Sequence, residues 1–448
     1  MNYQIINFPK RDLFQNENTS ISDINIEIEN IYTVGIDTLC KLESVKLEDL
    51  PIKNRKMYIK QSLSLLKYMD IQMNNFESDL VAIPQKDLIK IFARDSYVKY
   101  MKLLNELNII YGVPYDLGGD EKIWYKFSKS GEKGLVKRYK LNENYDKEDL
   151  CLVVFEDRKK IAFESDKNIY DKKYIKTIKD VQINLKSAIV DELNNMTSIS
   201  SLRKRLSIIF SLYDKRYIKK GEKVDRIYHS LTNLSKISRK HLYVKDLKFN
   251  NIDIVNCQPL LLCYYLRKNN LQIDYNYIKD CENGNLYENF LTEGSEYIHY
   301  DIVKKNGVVV AKNKRVVNVE YINIKNTIER EIKYNELRNE IKKLLYKSIF
   351  FDFKPKSDIA KKFQTLYPLV YSELEILNIK DNETKNAGRL QNIEAEIFNN
   401  LVPTKSKYYF TLFDAIYFTS LEDTGELILK ITNKFQEMGL SPKFKINE

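Results

Sequence analysis

The chain has 448 residues, with 73 lysines and arginines against 62 aspartates and glutamates and a formal charge of +11. That length holds two or three domains with sizeable cores, and basic residues spread along it point to a polyanionic partner, nucleic acid best of all. A genome biased toward Lys, Asn, Ile and Tyr codons produces the same excess. Five cysteines (Cys40, Cys151, Cys257, Cys263 and Cys281) without a CxxC pair, and three histidines, argue against a structural zinc site and against the paired-histidine metal site of rolling-circle nickases. No signal peptide is recognisable at the N-terminus and no apolar run reaches membrane-span length, so a cytoplasmic protein with reduced thiols and no membrane partner is expected.

Residues 1–45 are polar and weakly periodic, which predicts an N-terminal arm over 1–50, extended or partly ordered. A helical pattern runs from Asn54 to Met73, and Ile83-Pro84-Gln85-Lys86 opens a short helix through Phe92. Asp95 and Ser96 are N-cap candidates for the next helix, which ends near Leu107. On that helix Val98, Met101, Leu104 and Leu107 share a face, with Lys99, Lys102 and Asn105 outside it. The run NIIYG, a Gly118-Gly119 turn and IWYKFS then read as a β-hairpin. Helix, turn, helix, hairpin is the winged-helix order, in which the second helix enters the major groove. Residues 51–150 are therefore expected to form a winged-helix-like DNA-binding domain with Lys99 and Lys102 facing DNA. A small structural helical subdomain is the other reading of this pattern. From Asp157 to Gly221 the chain is Lys-rich and helical, with periodic stretches over Thr177–Asn195 and Ser198–Tyr217. From Arg226 onward strands and helices alternate in an α+β pattern.

Two segments of that last part carry a buried-strand composition interrupted by one acid: Asp253 in DIVNCQPL and Asp414 in TLFDAIYF. An ionised carboxylate in such a setting is costly unless it is paired or binds a metal. Ordinary strand aspartates in unrelated places would read the same. Between them Arg338, Lys342, Tyr346 and Phe350 recur at steps of four, along one helical stripe. Two cations beside two aromatics suit a nucleoside triphosphate, with the cations on phosphates and the rings against base and sugar. Such a stripe also arises readily as a plain helix face in a Lys- and Tyr-rich chain.

In order and spacing these segments resemble the family A DNA polymerases and related single-subunit phage polymerases, in a divergent form like that of phage or plasmid replication genes. The resemblance covers roughly residues 170–448. It implies a right-hand fold, with residues 151–225 as a helical thumb-like region and 226–448 as palm and fingers. Asp253 and Asp414 would hold two Mg²⁺, or Mn²⁺ in their place, the carbonyl of Ile254 adding a ligand. Arg338, Lys342, Tyr346 and Phe350 match the family's nucleotide-binding helix, and Lys342 would protonate the leaving pyrophosphate. The segment R-x-Y-x-S-x-T-N-L resembles the family's minor-groove contact to primer-template, putting Arg226 and Asn233 there. Gln391, in GRLQNIEAEIF, would touch the template side.

The departures from the family bear on sugar choice. The glutamate expected five residues after the first aspartate is Gln258, and the tyrosine it would bond is Phe350. Changing both partners avoids a stranded polar group, and leaves any selection against a 2′-hydroxyl to the bulk of Gln258, Tyr346 and Phe350. The family's His-Asp-Glu is Phe413-Asp414-Ala415, so one acidic companion is lost, and the N-terminal half holds no exonuclease-like acidic cluster. The expected activity is template-directed nucleotidyl transfer on a primer-template with nucleoside triphosphates, most of all DNA synthesis for a mobile element. RNA polymerase or primase activity is the neighbouring alternative, and a non-catalytic winged-helix replication initiator the competing class.

Overall fold

The computed structural model describes residues 3–7, 31–51, 54–76, 80–92, 96–116, 122–123, 136–155, 161–166, 169, 171–222, 224–305, 308–324, 326–350, 353, 355–380 and 386–447. The chain is α+β. It divides into two compact units, one of residues 1–164, 178–217 and 229–246, the other of residues 165–177, 218–228 and 247–448.

In the first unit Leu150–Phe155 is the centre of a three-stranded antiparallel sheet, flanked by Tyr3–Asn7 and Ile31–Gly35. Residues 31–44, expected within a polar arm, instead form a strand and the helix Ile36–Ser44. Ile31, Tyr32, Val34, Leu39 and Leu42 are buried there, which is apolar area enough to order them. The long helix Arg55–Phe76 packs on that strand and on Ile199–Ser211. Between these two helices lies a buried ion pair: Arg203 Nε donates to Asp70 Oδ1 at 2.9 Å, and the guanidinium also reaches the Tyr145 carbonyl.

After the long helix come a short strand Val81–Ala82, helices Gln85–Phe92 and Tyr97–Glu106, and strand Ile110–Val113. Arg138–Leu141 pairs with both Val81–Ala82 and Ile110–Val113. The partner of Ile110–Val113 is thus Arg138–Leu141, and the hairpin expected across Gly118-Gly119 is formed, in the described residues, by Tyr115–Asp116 pairing with Lys122–Ile123. Asp95, Gly118, Gly119 and residues 124–128 lie outside the described residues. Ser96 precedes the second of these helices, but its hydroxyl donates back to the Phe92 carbonyl and does not cap. The buried stripe is Tyr100, Met101 and Leu104, while Val98 is 60% exposed. Tyr100 decides the rotation by stacking on Phe92 and Tyr58, at ring separations of 4.3 and 5.7 Å. Lys99 and Lys102 are exposed. The helical stretch expected over 177–195 is broken, because Gln182–Ile183 pairs with Leu242–Val244 and Asn184 then caps the helix Leu185–Asn194.

The second unit is built on a four-stranded antiparallel sheet. Its strands are β1 (Asn250–Ile254), β2 (Tyr409–Leu412), β3 (Ala415–Phe418) and β4 (Phe444–Asn447), in the order β2-β3-β1-β4. Helix α1 (Cys257–Lys268) follows β1 directly, and α3 (Asn386–Phe398) packs on it; α2 (Thr327–Leu345) lies between them in sequence. In β1 the period of two buries Ile252 and Ile254 and leaves Asn251 and Asp253 half-buried on the other face. Ile416, Phe418, Tyr409 and Thr411 extend the buried layer, and the edge strand is tied down by Tyr174, whose hydroxyl donates to the Thr411 carbonyl. Among the described residues no helix is long and apolar enough to cross a membrane.

Candidate active site

Asp253 stands directly opposite Ala415 in the β1–β3 ladder, and the Ile254 amide donates to the Asp414 carbonyl at 3.3 Å. Directly opposed residues in an antiparallel pair lie about 5 Å apart, so the backbones of two aspartates distant in sequence come together where β1 passes the β2–β3 turn. Asp414 occupies the two-residue turn between β2 and β3, in which Leu412 pairs with Ala415. Phe413, the other turn residue, has φ 57°. That left-handed conformation is an outlier for a bulky side chain and stores on the order of 1 kcal/mol or more. A second left-handed residue, Asn256 at φ 56°, turns the chain from β1 into α1.

Around this pair the sequence converges from four places. Arg226 lays its guanidinium 4.5 Å from the centre of the Phe413 ring and donates to Glu394 at 2.7 Å. Glu394, on α3, is 1% exposed and also accepts from the Gln258 side-chain amide. Burial raises the Glu394 carboxyl, opposed by Arg226 and helped by the charge of Asp414, to about 7. The Cys257 thiol is pushed well up, first by burial and then by Asp414, Glu394 and Asp253, so one sulfur registers all three carboxylates. Among the described residues neither Asn256 amide atom nor Gln258 Oε1 has a hydrogen-bond partner, although both residues are buried.

Helix α2 brings cations to the same neighbourhood. Lys342 Nζ lies 5.8 Å from the Tyr287 ring and 5.7 Å from the Tyr346 ring, and among the described residues makes no salt bridge. Arg338 sits over Tyr287 and donates from Nε to Glu288 at 2.5 Å. Burial raises the Tyr346 hydroxyl well above a phenol's usual value, and Tyr287 and Asp414 raise it further. The aromatic end of the cationic stripe is therefore within electrostatic reach of Asp414. Beyond Leu345 the helix continues as a π-turn, Tyr346–Phe350, a distortion frequent at functional sites.

The residues singled out from sequence fall into two groups. Asp253, Ile254, Gln258, Arg226, Asp414, Arg338, Lys342 and Tyr346 belong to this constellation. Phe350 is fully buried against Tyr346 and Phe363, a core position rather than a wall of the site. Gln391 is half-buried on α3, one turn before Glu394. Asn233, Lys99 and Lys102 belong to the other unit. Glu394 and Tyr287 escaped the reading of the sequence. Glu394 carried a signal, since it falls four residues after Leu390 and three before Ile397, on the apolar stripe of its helix.

Compared with known proteins, the chain matches no family model, no curated protein and no solved structure.

The donors fit a hard divalent cation. Two carboxylates and backbone carbonyls are oxygen ligands of the kind that hold Mg²⁺ or Mn²⁺ when substrate phosphates and water complete the shell. Among the described residues no group of three or more His, Cys, Asp or Glu is arranged around a metal position, so the protein's own share of the ligands would be small.

Glu394 also makes the fold pH-sensitive. Its folded value of about 7 lies above the ordinary 4.5, so the folded state binds the extra proton between those values. The stabilisation is full below the ordinary value and is lost as pH rises through about 7. Relative to E394Q, wild type should therefore lose a few kcal/mol between about pH 4.5 and pH 7. Urea unfolding of both proteins at pH 5 and pH 8 checks this, and parallel pH responses would refute it.

Proposed function

We propose that the chain is a template-directed nucleotidyltransferase, best fitted to a DNA polymerase of a mobile element. The observation that supports this reading is the approach of Asp253, on β1, to the β2–β3 turn that carries Asp414, with Asp414 in electrostatic reach of Tyr287 and Tyr346, the rings over which Arg338 and Lys342 lie. Bound Mg²⁺ would polarise the phosphoryl oxygens and stabilise the attacking and leaving groups of an in-line displacement. Asp253, Asp414 and the Ile254 carbonyl would hold it. Lys342, with no carboxylate partner among the described residues, would bind the triphosphate and donate a proton to the leaving pyrophosphate. Arg338 would exchange Glu288 for a phosphate oxygen. In this reading the sheet β1–β4 is a palm, α2 belongs to the fingers, and the helices of residues 151–225 serve as a thumb. Primer extension with separate dNTP and NTP pools, on DNA and RNA templates with Mg²⁺, tests it. Absence of any metal-dependent incorporation would refute it. Equal use of NTPs would move the protein to the RNA polymerase or primase class, since Gln258 is bonded to Glu394 and Phe350 is buried, leaving no hydrogen-bonded sugar gate.

A second reading draws on the first unit. Its order of helix, short strand, two helices and a paired strand return supports a winged-helix-like reading, with Lys99 and Lys102 exposed on the second of the two helices. Such a unit would bind duplex DNA in a polymerase or in a non-catalytic replication initiator. In the full chain K99E/K102E should weaken duplex binding across sequences and lower the salt slope by about one unit per lost phosphate contact. An unchanged slope would remove DNA from this helix.

A further inference from the structure

We propose that Glu394 is a positioning residue for Asp414, acting through Arg226 and Phe413. The reading of Asp414 as a metal-holding catalytic residue rests on the proposed function; the contacts do not.

The sheet holds the turn's backbone, through the Leu412–Ala415 pair and the Ile254 amide on the Asp414 carbonyl, and leaves the Phe413 side chain to be held from outside it. Two residues connect β2 to β3, and the first of them, Phe413, is held at φ 57°. A turn of that kind relaxes unless neighbouring structure over-determines it. Arg226 supplies the constraint, with its guanidinium 4.5 Å from the Phe413 ring centre, and Tyr228 adds an edge contact at 6.3 Å. Arg226 in turn is fixed by Glu394, which bonds it at 2.7 Å from a site 1% exposed. The backbone beside Arg226 is held by the same helix, since the Asp225 amide donates to Asn392 Oδ1 at 2.9 Å and Asn399 donates to the Asp225 carbonyl at 2.8 Å. Gln258, two residues into α1, bonds the same carboxylate. One buried acid on α3 thus anchors both the turn that carries Asp414 and the helix start that follows Asp253. Planar guanidinium on a ring, locked by a carboxylate, is a stiff arrangement that a lysine would not reproduce.

The test reads the turn directly in the full-length protein. Hydrogen exchange of the segment 409–418 should quicken at least tenfold in E394Q and in F413L. The double variant should be no faster than the faster single, because both changes break one linkage. Mn²⁺ binding, followed by electron paramagnetic resonance, should weaken by a similar factor in E394Q while D414N weakens it more. Unchanged exchange in E394Q, or additive effects in the double variant, would overturn the proposal whether or not the protein incorporates nucleotides. If the wild type proves inactive but the exchange coupling is present, the polymerase reading fails and the positioning role stands. If E394Q is too unstable to assay, F413L and R226K carry the same comparison, and R226K exchange equal to wild type would likewise overturn it.

Discussion

Asp253→Ala and Asp414→Ala are each expected to reduce nucleotide incorporation by about a thousandfold or more while the circular dichroism spectrum and duplex binding stay close to wild type. Loss of a metal ligand removes several kcal/mol of transition-state stabilisation, and each 1.4 kcal/mol is about tenfold in rate. The fold should tolerate the change because Asp253 is only half-buried, on the face opposite the Ile252 and Ile254 layer, and Asp414 is a turn residue. Incorporation above roughly a tenth of wild type in either variant, in a single-turnover assay with saturating Mg²⁺, would sink the two-metal assignment.

Lys342→Ala should produce the next largest loss, about a hundredfold in kcat, as expected for removal of a general acid that also neutralises phosphate charge. Its ammonium lies over two tyrosine rings and has no carboxylate competitor among the described residues, so the variant removes function and little else. Arg338→Ala is a less simple change because it also strands Glu288. Glu288→Gln separates the two effects. Freed from Glu288, Arg338 should bind triphosphate at least as well, so E288Q should keep or lower the nucleotide KM where R338A raises it about ten- to hundredfold, the worth of a charge-assisted bond. A K342A variant with wild-type kcat would remove the leaving-group role.

Much of the candidate site was legible because its residues violate local expectation. Asp253 and Asp414 stand out as acids inside apolar, β-branched and aromatic runs, and the four-residue spacing of Arg338, Lys342 and Tyr346 defines a stripe. Their meeting was not legible, because strand pairing between residues 250–254 and 415–418 depends on long-range register. Glu394 was harder to read: its place on the apolar stripe of α3 was a signal, but a helix is expected to carry glutamates, and its bonds to Arg226 and Gln258 depend on tertiary packing. Within the first unit, Val98 and Tyr100 offered competing stripes two residues apart, and aromatic stacking on Phe92 and Tyr58 decided between them. The strand Ile31–Gly35 escaped notice because it is five residues long and its partner, Leu150–Phe155, lies over a hundred residues away.

The interleaving of the two units restricts how such a gene can change. The first unit takes residues 1–164, 178–217 and 229–246, and its buried Arg203–Asp70 pair joins the first of those segments to the second. Severing the chain at 164 would leave Asp70 buried without its cation, a loss of about 3–5 kcal/mol for such pairs. A single recombination breakpoint therefore transplants neither unit whole. Either half can be replaced only through several coordinated exchanges, so the pair should be inherited as one block, diverging by substitution rather than by domain shuffling.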